Sequence, residues 1–129
     1  MIRKLIPALV ALVALLGVGV PATAGAAAPR EILTKCANVG FGSSLVCIDV
    51  NRGAWVTVWY DKRSSGRQTC RLRYSGPDGG HEDEGEFVID GGQLKGYRWY
   101  PPVHTGNGSY NGSVTCHGTT ANTGTLVVR

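Results

Sequence analysis

Leu45-Val46-Cys47-Ile48-Asp49-Val50-Asn51-Arg52-Gly53-Ala54-Trp55-Val56-Thr57-Val58-Trp59-Tyr60 decides the fold class. On either side of Asn51-Arg52-Gly53 the chain is rich in β-branched and aromatic residues, the composition of extended strands whose side chains point alternately to opposite faces. The three central residues suit a tight return, because glycine adopts positive φ without steric cost. The stretch therefore predicts a β-hairpin, with residues 45–50 returning as residues 54–60.

The same punctuation continues outward. Residues 61–69 read as a polar tip, 70–74 as a strand, and Ser75-Gly76-Pro77-Asp78-Gly79-Gly80 as a turn cluster. Residues 86–90 and 96–100 read as two strands around Gly91-Gly92-Gln93. Residues 110–117 and 125–128 then close the sheet structure at the C-terminus. No stretch keeps a helical period for three turns. About seven short strands separated by turns predict an all-β domain, an antiparallel two-sheet sandwich or a flattened barrel, over residues 34–129.

Upstream of this domain the chain has the parts of a secretory signal: Arg3 and Lys4, an apolar run over residues 5–20, and small residues after Pro21. The run is short of the ~20 residues that span a bilayer and contains Pro7, Gly17 and Gly19. Cleavage fits after Ala22-Thr23-Ala24, with Ala24-Gly25-Ala26 as a second frame. Residues 1–24 are thus expected to be a signal peptide and residues 25–33, rich in alanine, a loosely ordered N-terminus. The first cysteine is Cys36, which argues against a lipid anchor at the cleavage region. The expected product is secreted, extracellular, monomeric and without a membrane span.

The formal net charge is +4 and falls to +2 without Arg3 and Lys4. Nucleic-acid binders neutralise many phosphates and concentrate far more basic charge, so no nucleic-acid partner is expected. Cys36, Cys47, Cys70 and Cys116 are even in number and lie in the exported part, which predicts two disulfides. Of the three possible pairings, Cys36 with Cys47 closes a short Gly- and Ser-containing loop, and Cys70 with Cys116 joins two strand-like segments. Loop-closure entropy assigns these bridges about 3 and about 4 kcal/mol. No Cys-x-x-Cys pair is present and His117 directly follows Cys116, so no zinc site is expected.

Period two gives the strand at 54–60 one face with Val56, Val58 and Tyr60 and another with Trp55, Thr57 and Trp59. In the next strand Cys70, Leu72 and Tyr74 share a face and Arg71 and Arg73 the other. If these strands pair, Trp55 and Trp59 join Arg71 and Arg73 in an outward aromatic and basic patch. Otherwise both tryptophans are core in a two-sheet sandwich. In Tyr97-Arg98-Trp99-Tyr100, alternation buries Tyr97 and Trp99 and exposes Arg98 and Tyr100, beside a Gly- and Asn-rich loop of the kind that builds recognition surfaces. Asn107-Gly-Ser and Asn111-Gly-Ser match the glycosylation pattern, and their Asn-Gly steps also suit turns. The run of His81, Glu82, Asp83, Glu84 and Glu86 lacks the spaced oxygens of a calcium loop and reads as a solvated loop.

Three histidines are present, at 81, 104 and 117, with no Gly-x-Ser-x-Gly elbow, no His-Glu-x-x-His and no phosphate-cradling loop. With the thiols paired, no catalytic role, cofactor or metal is expected. The stretch from Cys36 to Cys116 resembles the tendamistat-type family of small secreted bacterial α-amylase inhibitors. The shared features are four cysteines in sequence order, Val56-Thr-Val-Trp-Tyr60-Asp61, Gly91-Gly-Gln93, Gly96-Tyr97 and a strand from Tyr110 to Cys116. The resemblance implies a sandwich of antiparallel strands, cysteines paired in sequence order, and action by plugging a glycosidase. That family places its inhibitory Trp-Arg-Tyr triad between the first two cysteines, where residues 37–46 here hold no Trp, Arg or Tyr. Tyr97-Arg98-Trp99-Tyr100 has similar chemistry elsewhere in the chain, and the inhibitory role does not transfer to it. Small exported actinobacterial proteins of the spore-associated protein A type are similar in the Val-x-Val-x-Tyr strand and the later cysteines.

The function expected from the sequence is a secreted, non-catalytic interaction protein, of cell-surface or spore type, for an extracellular protein or glycan. Trp55, Trp59, Tyr97, Arg98, Trp99 and Tyr100 are its candidate contact residues. Inhibition of an extracellular hydrolase and carbohydrate binding by aromatic stacking are the alternatives.

Overall fold

The computed structural model describes residues 31–40 and 43–129, and the expected signal peptide, residues 1–24, lies outside them together with residues 25–30. The strands among the described residues are β1 (Ile32–Asn38), β2 (Leu45–Asn51), β3 (Trp55–Asp61), β4 (Gln68–Gly76), β5 (Gly79–Glu82), β6 (Phe87–Ile89), β7 (Leu94–Trp99), β8 (Gly108–Cys116) and β9 (Thr119–Val128). They form two antiparallel sheets, one of four strands in the order β1-β2-β3-β7 and one of five in the order β5-β4-β8-β9. The remaining strand, β6, pairs with the start of β4 on the same edge as β5. The architecture is the sandwich expected from the sequence.

The hairpin that decides the fold is β2–β3. Val46 faces Tyr60, Ile48 faces Val58 and Val50 faces Val56 across the pair. Gly53 has φ 81°, and the Ala54 amide donates to the Asn51 carbonyl at 2.9 Å to close the turn. All six of the paired side chains are buried and meet Leu72, Tyr74, Tyr110, Val114, Leu126 and Val128 of the other sheet in one hydrophobic core. Full burial of a Val, Leu or Ile side chain contributes about 1.5–3 kcal/mol, so this facing set dominates the stability.

Both disulfides are as expected, Cys36–Cys47 and Cys70–Cys116. Each joins directly opposed residues on neighbouring strands of one sheet, β1 with β2 and β4 with β8. No bridge runs between the sheets.

Three expectations require correction. The N-terminus expected to be loose over residues 25–33 is already strand at Ile32 and Leu33, because Ile32 pairs with Asn51 and Leu33 with Val50. The turn cluster and acidic run at residues 75–86 contain β5, so the turn is only Pro77-Asp78, and Asp83 is no solvated acid. Its carboxylate accepts the Leu72 amide at 2.8 Å and the Gly85 amide at 3.1 Å. The two strands expected around Gly91-Gly92-Gln93 are present as β6 in the five-stranded sheet and β7 in the four-stranded, so that segment is a crossover. It packs against the polar tip, where a Cβ on Gly91 would lie 2.7 Å from the Ser64 carbonyl oxygen. Finally, Asn111-Gly112 is no turn but the middle of β8, beside a bulge in β9.

The polar tip itself is built around a buried charge. Lys62 is 0% exposed. Its Nζ donates to the carbonyls of Ser64 at 2.6 Å and Ser65 at 3.1 Å, and to Ser64 Oγ at 3.2 Å. A buried ammonium is tolerated only with such compensation. Its main chain holds the crossover, receiving the Gly92 amide at 2.7 Å and donating to Gln93 at 2.9 Å.

At Gly112 the two sheets approach closely. A Cβ there would stand 3.1 Å from both Ile48 Cβ and Val58 Cγ2 and 3.2 Å from Thr123 Cγ2. Gly112→Val is expected to lower unfolding free energy by about 1–3 kcal/mol, the usual cost of overpacking, read as a fall in urea midpoint at unchanged slope.

At the β4–β5 turn, Asp78 ties the hairpin to the loop after β7. It accepts the His104 amide at 3.0 Å and lies 2.9 Å from His81 Nε2. Partial desolvation pushes this carboxyl up, but the His104 amide and the His81 ring outweigh it and hold it below its ordinary value. A depressed folded pKa contributes stability that is present above the unfolded carboxylate value of about 3.9 and lost as pH falls through the lower folded value. Asp78→Asn should therefore be less stable than the parent at pH 7 and show a shallower loss of urea midpoint between pH 4 and pH 2, where screening of an exposed site keeps the difference small.

Candidate functional site

With alternate residues committed to the core, what each sheet offers a partner is its outward set. On the four-stranded sheet the register sets Asn51 beside Trp55; Asp49, Thr57 and Arg98 in one row; and Cys47, Trp59 and Gly96 in the next. Trp55 and Trp59 are half-buried and Arg98 is exposed. Tyr100, just past the end of β7, is 60% exposed, and Ile32 at the far edge of the sheet is 49% exposed.

Arg98 is the organised centre of this face. Its guanidinium carbon sits 3.8 Å from the centroid of the Trp55 ring. Its Nε donates to Thr57 Oγ1 at 2.9 Å. Stack and hydrogen bond together fix the plane of the group. Among the described residues Arg98 has no carboxylate within ion-pair distance, in contrast to Arg63, Arg67, Arg71 and Arg73. A guanidinium is a planar fork of donors suited to carboxylates and carbonyls, and here it is oriented and still unspent.

Trp59 is fixed differently. Its Nε1 donates to Asp49 Oδ2 at 2.9 Å, and Thr34 Oγ1 donates to the other carboxylate oxygen at 2.7 Å. Gly96 stands opposite, where a Cβ would meet Trp59 Cβ at 3.0 Å and the Val58 carbonyl oxygen at 3.2 Å. The absent side chain makes room for the indole on the sheet surface.

The candidate contact residues therefore divide. Trp55, Trp59, Arg98 and Tyr100 share the outer side of the four-stranded sheet or its rim. Tyr97 packs against the core, and Trp99 is only 8% exposed. Trp99 Nε1 donates to the Glu82 carbonyl at 3.1 Å, and its ring lies edge-on to Tyr74 and Tyr97 at 4.8 Å. Two expectations are corrected by this arrangement. Arg71 and Arg73 do not join the tryptophans, because the tip carries the chain across the sandwich, so that β3 and β4 lie in opposite sheets. The alternative that both tryptophans are core is also overturned, since the inward set of β3 is Val56, Val58 and Tyr60. Thr57, Asp49 and Thr34 escaped sequence reasoning. The hairpin register could have placed Asp49 opposite Thr57, but the pairing of β7 with β3 has no local signal.

The outer side of the five-stranded sheet is polar. Its rows run Glu82, Arg73, Ser113, Asn122 and Gly80, Ser75, Asn111, Thr125. Glu82 takes Arg71 Nη2 at 3.0 Å and Arg73 Nη2 at 3.5 Å, while Arg71 Nε lies 3.6 Å from Asp83. All residues of the two rows but Thr125, together with Tyr74 and His81, line a shallow depression of about 370 Å³. A second depression, of about 270 Å³, opens between the sheets beside Phe87, Tyr97 and Asp83.

The histidines are spoken for structurally. His81 stacks on Tyr74 with ring centroids 4.7 Å apart, and His104 Nε2 meets the Asn107 carbonyl at 3.0 Å. His117, at φ 51°, lies 3.5 Å from the Thr69 amide. The loop beside them is fastened by Tyr110, whose hydroxyl donates to the Gly106 carbonyl at 2.6 Å. No group of three His, Cys, Asp or Glu side chains converges to hold a metal among the described residues.

No protein-family model and no curated protein matches this chain. Among solved structures, the solution structure of the fn3 domain of human collagen alpha-1(XX) chain is similar at a TM-score of 0.38 and 21% identity, over 86% of this chain and 89% of that one.

Proposed function

We propose that this chain is an exported, non-catalytic β-sandwich interaction protein that binds an extracellular protein through the outer face of its four-stranded sheet. The observation that carries the reading is Arg98, stacked at 3.8 Å on Trp55 and oriented by Thr57, with no carboxylate partner among the described residues. Tryptophan, tyrosine and arginine are the residues that most often concentrate binding energy at protein interfaces, and here Trp55, Trp59, Arg98 and Tyr100 gather on one side. The cross-strand partners of Arg98 and Trp59 hold these side chains in place before any encounter, which reduces the entropy lost on binding. Export rests on the N-terminal sequence and is compatible with two disulfides. Inhibition of a hydrolase through Tyr97-Arg98-Trp99-Tyr100 draws no support from geometry, because Trp99 and Tyr97 are turned into the core.

Affinity capture from the producing culture, with the oxidised mature protein as bait, tests the reading when Arg98→Ala and Trp55→Ala baits are run beside it. The expected result is a protein whose purified form binds the parent and loses about thirtyfold or more in affinity to either variant, the size of a hot-spot loss. Arg98→Ala, at an exposed position, should keep the parental unfolding free energy to within about 0.5 kcal/mol, and Trp55→Ala, at a half-buried one, should keep the parental circular dichroism and a cooperative urea transition. Equal capture by parent and variants, or capture of nothing by the parent, sinks the proposal.

A further inference from the structure

We propose that the depression on the outer side of the five-stranded sheet is a binding site for a single neutral sugar ring. This is the side of the sandwich opposite Trp55 and Arg98, and the inference does not depend on the function proposed for that face.

The site is shaped by two departures from a regular sheet. Asn111 pairs with Thr125 and Ser113 with Asn122, so β9 has one residue more than β8 across this interval, with Gly124 at φ 83°. A bulge of this kind bends the strand and re-aims its side chains. On the other edge, Gly80 stands opposite Ser75 and contributes no side chain. Between these edges the depression measures about 370 Å³, within the size range of small-molecule sites.

Its chemistry selects the ligand class. Arg71 and Arg73 are both paired with Glu82, and Arg71 also with Asp83, so the charges along this wall balance and favour a neutral molecule. Beside the rings of Tyr74 and His81, the lining offers the hydroxyls of Ser75 and Ser113 and the carboxamides of Asn111 and Asn122, each able to donate and accept. One of them is incomplete. The Asn111 Oδ1 atom is shielded from solvent and has no hydrogen-bond partner. An unpaired buried acceptor costs about 1–3 kcal/mol, and a turn of the Asn111 carboxamide toward the depression would let a ligand hydroxyl pair with it. A sugar ring supplies several hydroxyls that both donate and accept, and carries no charge.

Gly80 allows a clean block. Its φ is not positive, and an added Cβ meets nothing within 4 Å, so Gly80→Val fills the depression without disturbing the ladder. The test is amide chemical-shift titration of the oxidised mature protein with glucose, galactose, mannose and N-acetylglucosamine, each taken to about 100 mM to reach weak single-ring affinities. The expected result is saturable shifts at Arg73, Ser75, Asn111, Ser113 and Asn122 for at least one sugar, with Kd on the order of 1–10 mM, and a loss of tenfold or more in Gly80→Val. Asn122→Ala, at an exposed position, should weaken the same titration about fivefold, a hydrogen bond's worth. Absence of saturation with all four sugars overturns the proposal, as does titration that Gly80→Val leaves unchanged. Shifts confined to Trp55, Trp59 and Arg98 would also overturn it, placing sugar binding on the other face instead.

Discussion

The two sheets are held together chiefly by side-chain burial, with a few hydrogen bonds crossing between them, from Trp99 to the Glu82 carbonyl and from Tyr60 to Gln68. Val46, Ile48 and Val50 of β2 and Val56, Val58 and Tyr60 of β3 face Leu72, Tyr74, Tyr110 and Val114 across the interior. The disulfides lie within the sheets, one in each, and restrict the unfolded chain without setting the distance between layers. At Gly112 the layers lie close enough that an added methyl group would crowd Ile48 and Val58 of the opposing sheet at 3.1 Å. Because strand side chains alternate, committing one set to this core commits the other to the surface, and both candidate recognition faces are consequences of that choice.

Polar groups that cannot reach water are settled within the fold, with few exceptions. The Tyr60 hydroxyl donates to Gln68 Oε1 at 2.8 Å, and burial raises its pKa along with that of Tyr110. Desolvation, reinforced by Asp78 and Tyr110, raises Tyr74 furthest, and its hydroxyl has no partner. The Lys62 ammonium shows the same economy at the crossover, drawing Ser64 and Ser65 around itself, while Ser44 Oγ accepts the amides of Arg63 and Ser64 at 2.9 and 3.2 Å. This polar knot is what sends the chain from β3 into the opposite sheet. It thereby separates Trp55 and Trp59 from Arg71 and Arg73.

That separation explains how much could be read from sequence. The hairpin at Gly53 and the alternation of Tyr97 to Tyr100 are encoded within a few residues, the cysteine pairs in the count and setting of four cysteines, and each is found as expected. Strand β1 was invisible because Ile32 to Asn38 becomes a strand only through pairing with β2, and β5 because two glycines and an acid resemble a turn. The partner of β3 was equally hidden, since nothing local distinguishes a strand that pairs with β4 from one that pairs with β7. Four of the six candidate contact residues thus lie on or beside one face, but their cation came from another strand than the one the sequence suggested.

The uneven charge along the chain has the same resolution. The basic run from Lys62 to Arg73 and the acidic run from Glu82 to Glu86 look like two opposed patches when read in order. In space β5 returns beside β4, so Glu82 and Asp83 meet Arg71 and Arg73, while Asp61 meets Arg63 and Asp90 meets Arg67. Such exposed pairs add little stability. Their larger effect is to cancel local fields, and screening at physiological salt removes much of what remains beyond about 8 Å. Arg98, on the opposite sheet and away from these acids, keeps its charge available. A protein of small net charge can in this way present one oriented guanidinium on an aromatic surface, so that electrostatic recognition depends on a single position instead of a diffuse basic patch.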